Sequence, residues 1–394
     1  MLLIDRNYFK YFLLFIPYLL SAVIYTQISD AFANVLLLGK LISFVIVAFL
    51  YLKKGTVTSL DVAVFLYCVW WFASVIINSG SILEYVKEVV TILFYLFIIE
   101  ESFFSNNNKY AIKSLSFIVL LELFVNFVLL IIFPEGLWST TSNYDDVARY
   151  NFLGLDNQVM PILLLGVLLL GIGFVLNGSR ITLNEVFCGM IILGNVVLMQ
   201  SGTAITAMIV VVAVLLLATR FKRVFNVKIA IYIAGAVLVG IVVFRIQNIF
   251  AFFIEGVLEK DLSLTNRVTI WDRAIGMIAA KPIVGYGIGT LDTVVVDRNA
   301  HNFFLQIILQ SGIVGLALYL NIFRIVLKRM FVNISNLYIV VAGSIIVGYI
   351  VCCITEVYAQ GWLILILSIA YCAYSFDMPS YGSDVGTNSG KNSD

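Results

Sequence analysis

Gln158–Leu176 reads QVMPILLLGVLLLGIGFVL, nineteen residues without a charged side chain. A helix rises about 1.5 Å per residue, so a run of this length crosses most of the hydrocarbon layer of a bilayer. A helix that is apolar on every side must be buried, in protein or in lipid. The run is not isolated. Of the 394 residues, 62% are hydrophobic and only 12% are charged, whereas a soluble domain carries roughly 25% charged residues. Mean hydropathy is +1.04. This much apolar surface cannot be hidden from water within one fold, so lipid is the solvent. The fold class is therefore an all-α polytopic membrane protein.

Breaks at charges and at Gly, Asn and Pro clusters predict about twelve spans, near 9–28, 32–52, 60–78, 82–100, 111–133, 158–176, 183–200, 203–220, 228–246, 302–323, 335–354 and 357–376. The first apolar stretch lacks an Ala-x-Ala-like cleavage site and reads as a retained span. With the N-terminus inside, fifteen of the 24 Lys and Arg residues fall in cytoplasmic segments and seven in external ones, although the external side holds the two longest loops. The positive-inside rule is thus met by an even number of spans with both termini cytoplasmic. Residues 1–377 form one membrane domain with external loops at about 134–157 and 247–300, and residues 378–394 form a polar, Gly/Ser-rich disordered cytoplasmic tail.

Several function classes drop out. A net charge of +1 gives no bulk attraction to nucleic acid. The five cysteines all lie in apolar runs and read as small core residues. One histidine and scattered carboxylates supply no metal-ligand cluster, and no cofactor is expected. Asp145-Asp146 lies outside, where nucleotide sugars are absent, and GYGIG at 285–289 lacks the strand–turn–helix setting of a nucleotide loop. No internal repeat appears at hairpin spacing, which counts against inverted-repeat transporters. Lys40 and Glu122, near mid-span, either pair with each other or leave Lys40 to line the path of a lipid substrate. Glu84, Lys87 and Glu88 lie near the outer face, either as a local ion-pair cluster or with Lys87 contacting phosphate.

The second external loop carries the chemistry. Asn266 to Ala280 forms an amphipathic helix stopped by Lys281-Pro282. Arg267, Trp271, Ala274 and Ile278 share one face, suited to lying on the membrane surface, where Trp271 anchors at the interface or offers a stacking platform. His301-Asn302 sits where the chain re-enters the membrane. Asn302, Gln306 and Gln310 then give that span one polar stripe, and Gly312 and Gly315 allow close helix packing below it.

The order Arg267-x3-Trp271, Pro282-x2-Gly285-x-Gly287, His301-Asn302 and Gly312-x2-Gly315-Leu316 resembles the signature of the O-antigen ligase and polymerase superfamily, membrane glycosyltransferases of the GT-C type. YNFLGLDNQ at 150–158 resembles the family's segment before the sixth span. The resemblance implies a bacterial inner-membrane enzyme that takes an oligosaccharide from a polyprenyl (undecaprenyl) diphosphate carrier and moves it to an acceptor hydroxyl on the outer face, inverting the anomeric centre. It implies Arg267 as the diphosphate grip and His301 as the catalytic base; Arg149 and Arg245 are further candidate cations, with Arg298 behind them, and Asn302, Trp271 and Lys87 are candidate substrate contacts. A chain-length regulator and a flippase of the same pathway are the implied protein partners. Family ligases carry an arginine in a segment that here reads SGTAIT, Ser201 to Thr206. Its absence favours a repeat-unit polymerase of O-antigen or capsular polysaccharide over a ligase acting on lipid A-core or protein. A lipid-linked oligosaccharide flippase is the rival of a different class.

Overall fold

The computed structural model describes residues 5–20, 29–141, 147–221, 224–250, 256, 267–289, 299–333 and 336–372. The tail, Arg298, the Asp145-Asp146 pair and Asn266 lie outside the described residues. Within them the chain forms helices α1 Arg6–Leu19, α2 Asp30–Lys54, α3 Ser59–Ile77, α4 Ile82–Phe104, α5 Asn108–Ile132, α6 Met160–Leu176, α7 Leu183–Met199, α8 Gly202–Arg220, α9 Val227–Phe244, α10 Arg267–Ala280, α11 Phe303–Met330, α12 Leu337–Cys352 and α13 Gln360–Cys372. Twelve coincide with the predicted spans, and α10 is the loop helix. Six of them (α2, α3, α5, α8, α9 and α11) are long and apolar enough to cross a membrane by length and composition. The helical membrane class therefore stands, while the figure of twelve crossings goes beyond what length and composition establish.

The short helices have a physical reason. In α12 nearly every side chain is buried within the protein, and α13 is buried almost throughout. They form the centre, with α12 packed on α6, α8, α9 and α13, and α13 on α4. By contrast α2 is mostly exposed along its length, as a lipid-facing helix would be. Their ends are set by local signals. Thr58 with Asp61 and Thr182 with Glu185 form reciprocal caps that satisfy the first free amides of α3 and α7. Between α7 and α8, Gln200 in the left-handed region turns the chain over a very short connection.

Loop 134–157 adds one correction to an all-helical reading. Trp138–Thr141, Val147–Asn151 and Gly154–Leu155 pair as a three-stranded antiparallel sheet, β1-β2-β3. The sheet is tied down by Asn126 of α5, whose side chain accepts from the Leu153 amide at 3.1 Å and donates to Asn195 of α7 at 2.7 Å. At the other end of the bundle Lys54 is buried between Glu100 and Asp61. Of the two expectations for Lys40, the pairing with Glu122 finds no support, because α2 packs on α4 and the charge acting on Lys40 is that of Glu88.

The decisive local feature is a break in α11. Gly312 has φ 69° and ψ −177°, so the helix stops and restarts there. The segment Lys281–Gly289 fills the break with its own backbone. Tyr286 N–H donates to Leu309 O at 2.7 Å, Gly287 N–H to Gln310 O at 3.0 Å, and Ile313 N–H to Pro282 O at 2.8 Å. Ser74 of α3 donates to the carbonyls of Val284 and Gln310, and Trp70 donates to Ser311 O. The same segment binds the start of α4 through Ser81 N–H and Ile288 O at 2.8 Å. Backbone groups freed by a broken helix in an apolar surround must be paired again, and here they are. Both glycines are obligatory. Gly285 has φ 71°, and a Cβ there would lie 2.6 Å from Leu309 O. A Cβ on Gly312 would overlap the Ile283 carbonyl.

Replacing Gly285 or Gly312 by Ala should therefore cost about 2 kcal/mol or more, from strain at positive φ plus lost hydrogen bonds. Gly235→Ala on α9, where a Cβ meets nothing within 4 Å, should be neutral or stabilising by up to about 1 kcal/mol. Thermal unfolding of the three purified variants checks this. Equal melting temperatures would remove the interlock from the account.

Candidate active site

α10 begins at Arg267, and its guanidinium pairs with Glu356 in the short connection between α12 and α13. Glu356 is 1% exposed. Its carboxylate also accepts from Asn157 Nδ2 at 2.9 Å and Gln158 Nε2 at 3.3 Å. The end of loop 134–157, α10 and the α12–α13 turn thus meet on one carboxylate. Burial pushes the Glu356 carboxyl up, while Arg267 and the two amides pull the other way. Thr203 lies 3.2 Å from Thr355, so the N-terminus of α8 joins the same turn.

One helical turn after Arg267, Trp271 is fully buried, and its indole N–H donates to His301 O at 3.4 Å. Arg245, the residue that ends α9, lies over the Trp271 ring at 5.4 Å and pairs with Asp272. Three residues singled out in the sequence (Arg267, Trp271 and His301) are thereby drawn to one place, with Arg245 beside them. The surface-lying role expected for the Arg267 helix does not hold. Ile270, Trp271 and Ala274 are buried against the protein, because this face packs on the His301 turn rather than on headgroups.

His301 itself has φ 43°, uncommon for a residue with a Cβ. The turn is held by His301 N–H donating to Asn299 Oδ1 at 2.8 Å. Backbone strain of this kind gathers at functional sites, where the surroundings enforce it. Asn302, expected to contact substrate, has its carboxamide committed inside the chain. Its Oδ1 caps α11 by accepting from Leu305 N–H, its Nδ2 donates to Ile354 O, both at 2.9 Å, and it is fully buried. It fixes His301 against the Glu356 turn.

The other candidates lie apart. Arg149 is exposed on β2 and pairs with Glu135 at 3.2 Å, a surface contact of little energetic weight. Beside it, burial lifts the Asp156 carboxyl to about 6, against the pull of Asn151 and Arg149. Lys87 is exposed on α4, while its neighbour Glu88 turns toward a cavity.

Glu356 is the residue the sequence reading missed. The signal was present: it is the only charged residue between Arg329 and Asp377, and it falls between two apolar runs. A buried lone carboxylate needs a cation, and Arg267 was the cation in search of a partner.

Residues 165–320 match the family model described as O-antigen ligase, a segment that contains Arg267, Trp271, His301 and the Gly312 break. The superfamily resemblance carried by the motif holds for this segment. The match supports a glycosyltransferase-like membrane enzyme of O-antigen ligase or polymerase type. No curated protein matches the chain.

Arg267→Ala strands the Glu356 charge in a buried site and should destabilise the protein by about 3 kcal/mol, whereas adding Glu356→Gln should recover most of that loss. A double-mutant cycle on thermal or denaturant unfolding measures the coupling. Additive losses would mean that the pair carries no interaction.

Proposed function

We propose that the chain is a repeat-unit polymerase of O-antigen or capsular type, extending a glycan on the outer face of a bacterial inner membrane from undecaprenyl-diphosphate-linked oligosaccharide. The observation that carries this is the meeting of the Arg267 helix with the His301 turn. Transfer needs a cation at the leaving diphosphate and a base at the incoming hydroxyl. A guanidinium has five N–H donors and spends only part of them on Glu356, leaving the others for phosphate oxygens. His301 takes the proton of the acceptor hydroxyl as its oxygen attacks the anomeric carbon. The bond from that carbon to the phosphate oxygen breaks in the same displacement, so configuration inverts and the diphosphate departs with both electrons. Arg245, stacked on Trp271, is the second cation within reach of this chemistry; Arg149 on the loop sheet and Lys87 on α4 serve as outlying contacts for the charged carrier. Trp271 positions the turn by its indole N–H, and Asn302 positions it through the cap on α11. A chain-length regulator and a flippase are the protein partners such a role brings.

A ligase is the second reading, and the matched family model favours it by its description. The SGTAIT segment favours polymerase. Thr203, not an arginine, faces Thr355 beside the Glu356–Arg267 pair.

Deletion of the gene with glycan profiling separates these readings. Loss of a polymerase leaves single repeats on the final acceptor, loss of a ligase leaves long polymer on the carrier, and loss of a flippase leaves single units inside. His301→Gly fits φ 43° without a Cβ and should accumulate normally, yet complement no better than an empty vector. Full-length polymer from cells carrying that variant would end the base assignment.

A further inference from the structure

A cavity of about 200 Å³ lies between α3, α4, α11 and the start of α13, lined by Trp71, Glu88, Gln306, Gln310, Tyr358 and Gln360 among others. It adjoins the site described above. Gln306 is four residues beyond Asn302 in α11, and Tyr358 is two residues beyond Glu356.

Its walls hold unspent hydrogen-bonding capacity. Trp71 is fully buried and gives its ring to the wall, while its indole N–H is sealed from the cavity and has no acceptor among the described residues. A buried polar group without a partner costs roughly 1–3 kcal/mol, so the free carboxamide groups at the wall call for a ligand or solvent. Gln310 uses its backbone carbonyl in the α11 break, and its carboxamide joins no hydrogen bond among the described residues. Gln306 spends its carbonyl oxygen on the Ala300 amide and Gln360 spends its own on the Tyr67 hydroxyl, which leaves both NH₂ groups. Glu88 supplies the negative acceptor, steadied by the Gln360 backbone amide and by Lys40. Free carboxamide groups and one carboxylate therefore line a space whose walls include the rings of Trp71, Phe303 and Tyr358.

Each rival ligand class fails on one count. An acyl chain would leave the amides and the carboxylate unpaired. A phosphate would meet the Glu88 charge. The space is smaller than the roughly 300–1,000 Å³ of a drug-sized pocket, which excludes a whole oligosaccharide. One neutral ring bearing several hydroxyls, each able to donate and accept, satisfies the set.

We propose that this cavity is a subsite for a single sugar ring at the growing end of the acceptor glycan, held by Glu88, Gln306, Gln310 and Gln360 against the Trp71 ring. It rests on the glycan-transfer reading for the choice of ligand and deepens it by separating two places: diphosphate on the cationic Arg267 side, acceptor on the anionic Glu88 side. None of the lining residues is a cation that could hold phosphate, which assigns the ring to the acceptor rather than to the carrier-linked end of the donor.

The test uses the full chain in detergent or nanodiscs, with repeat-unit glycan released by mild acid from the lipid-linked material of a deletion strain. Binding is followed by saturation-transfer NMR, and transfer is followed with intact lipid-linked donor. Glu88→Gln and Gln310→Ala should each weaken glycan binding and raise the KM for the glycan by about tenfold with donor KM little changed, and Gln310→Ala, whose carboxamide joins no hydrogen bond among the described residues, should also leave thermal stability little changed. Undiminished binding in both variants, a change confined to donor KM, or no glycan binding by the wild type would overturn the subsite and leave solvent as its only occupant. Glycan binding with these losses, but no transfer by the wild-type chain, would sustain the subsite and overturn the polymerase reading instead.

Discussion

The architecture depends on backbone hydrogen bonds made across the break in α11. A helix interrupted in an apolar surround frees carbonyl and amide groups that lipid cannot satisfy, and each would cost several kcal/mol if left alone. The Lys281–Gly289 segment supplies the partners: its amides reach Leu309 and Gln310, and its Pro282 carbonyl takes the amide of Ile313. Because α3 donates from Ser74 and Trp70 and α4 from Ser81, the break is locked from three directions. The loop that carries α10 is thereby pinned at one end of that helix. The other end of that helix is then aimed at Glu356.

Electrostatics completes what the backbone begins. Glu356 gathers Arg267, Asn157 and Gln158, so that parts of the chain nearly two hundred residues apart share one carboxylate. Its burial makes the pair sensitive: removal of either member leaves the other uncompensated in a low-dielectric place. Arg245 and Trp271 extend the cluster, and the strained His301 turn is held by the same tryptophan. Arg267, His301 and the cavity carboxylate lie in adjoining regions, with Glu88 on α4 and Glu356 in the connection between α12 and α13.

Much of this was legible in the sequence, and the exceptions have physical causes. Helix positions follow from apolar runs and caps, so α6 and α9 lie close to where composition put them. Arg267, Trp271 and His301 stand out by motif, and the structure brings them together. The sequence did not show that Pro-x2-Gly-x-Gly is a backbone plug, because plugging is a property of the distant carbonyls at Leu309 and Gln310. Nor did periodicity reveal which side the Arg267 face would seek, since an amphipathic face suits a membrane surface and a protein surface equally. Asn302 looked like a ligand-binding amide because capping and ligand binding ask for the same side chain. For Lys40 depth alone offered either a Glu122 partner or a place along a lipid path, and only the packing of α2 on α4 brings the charge of Glu88 to bear on it.

The central claim is that the Arg267 helix and the His301 turn hold the two ends of one displacement. A cryo-electron microscopy structure of the chain with its lipid-linked repeat unit tests it most directly. The account predicts diphosphate oxygens within about 3 Å of the Arg267 guanidinium, with the anomeric carbon facing His301. A diphosphate seated instead on Arg149 or Lys87, away from His301, would contradict it.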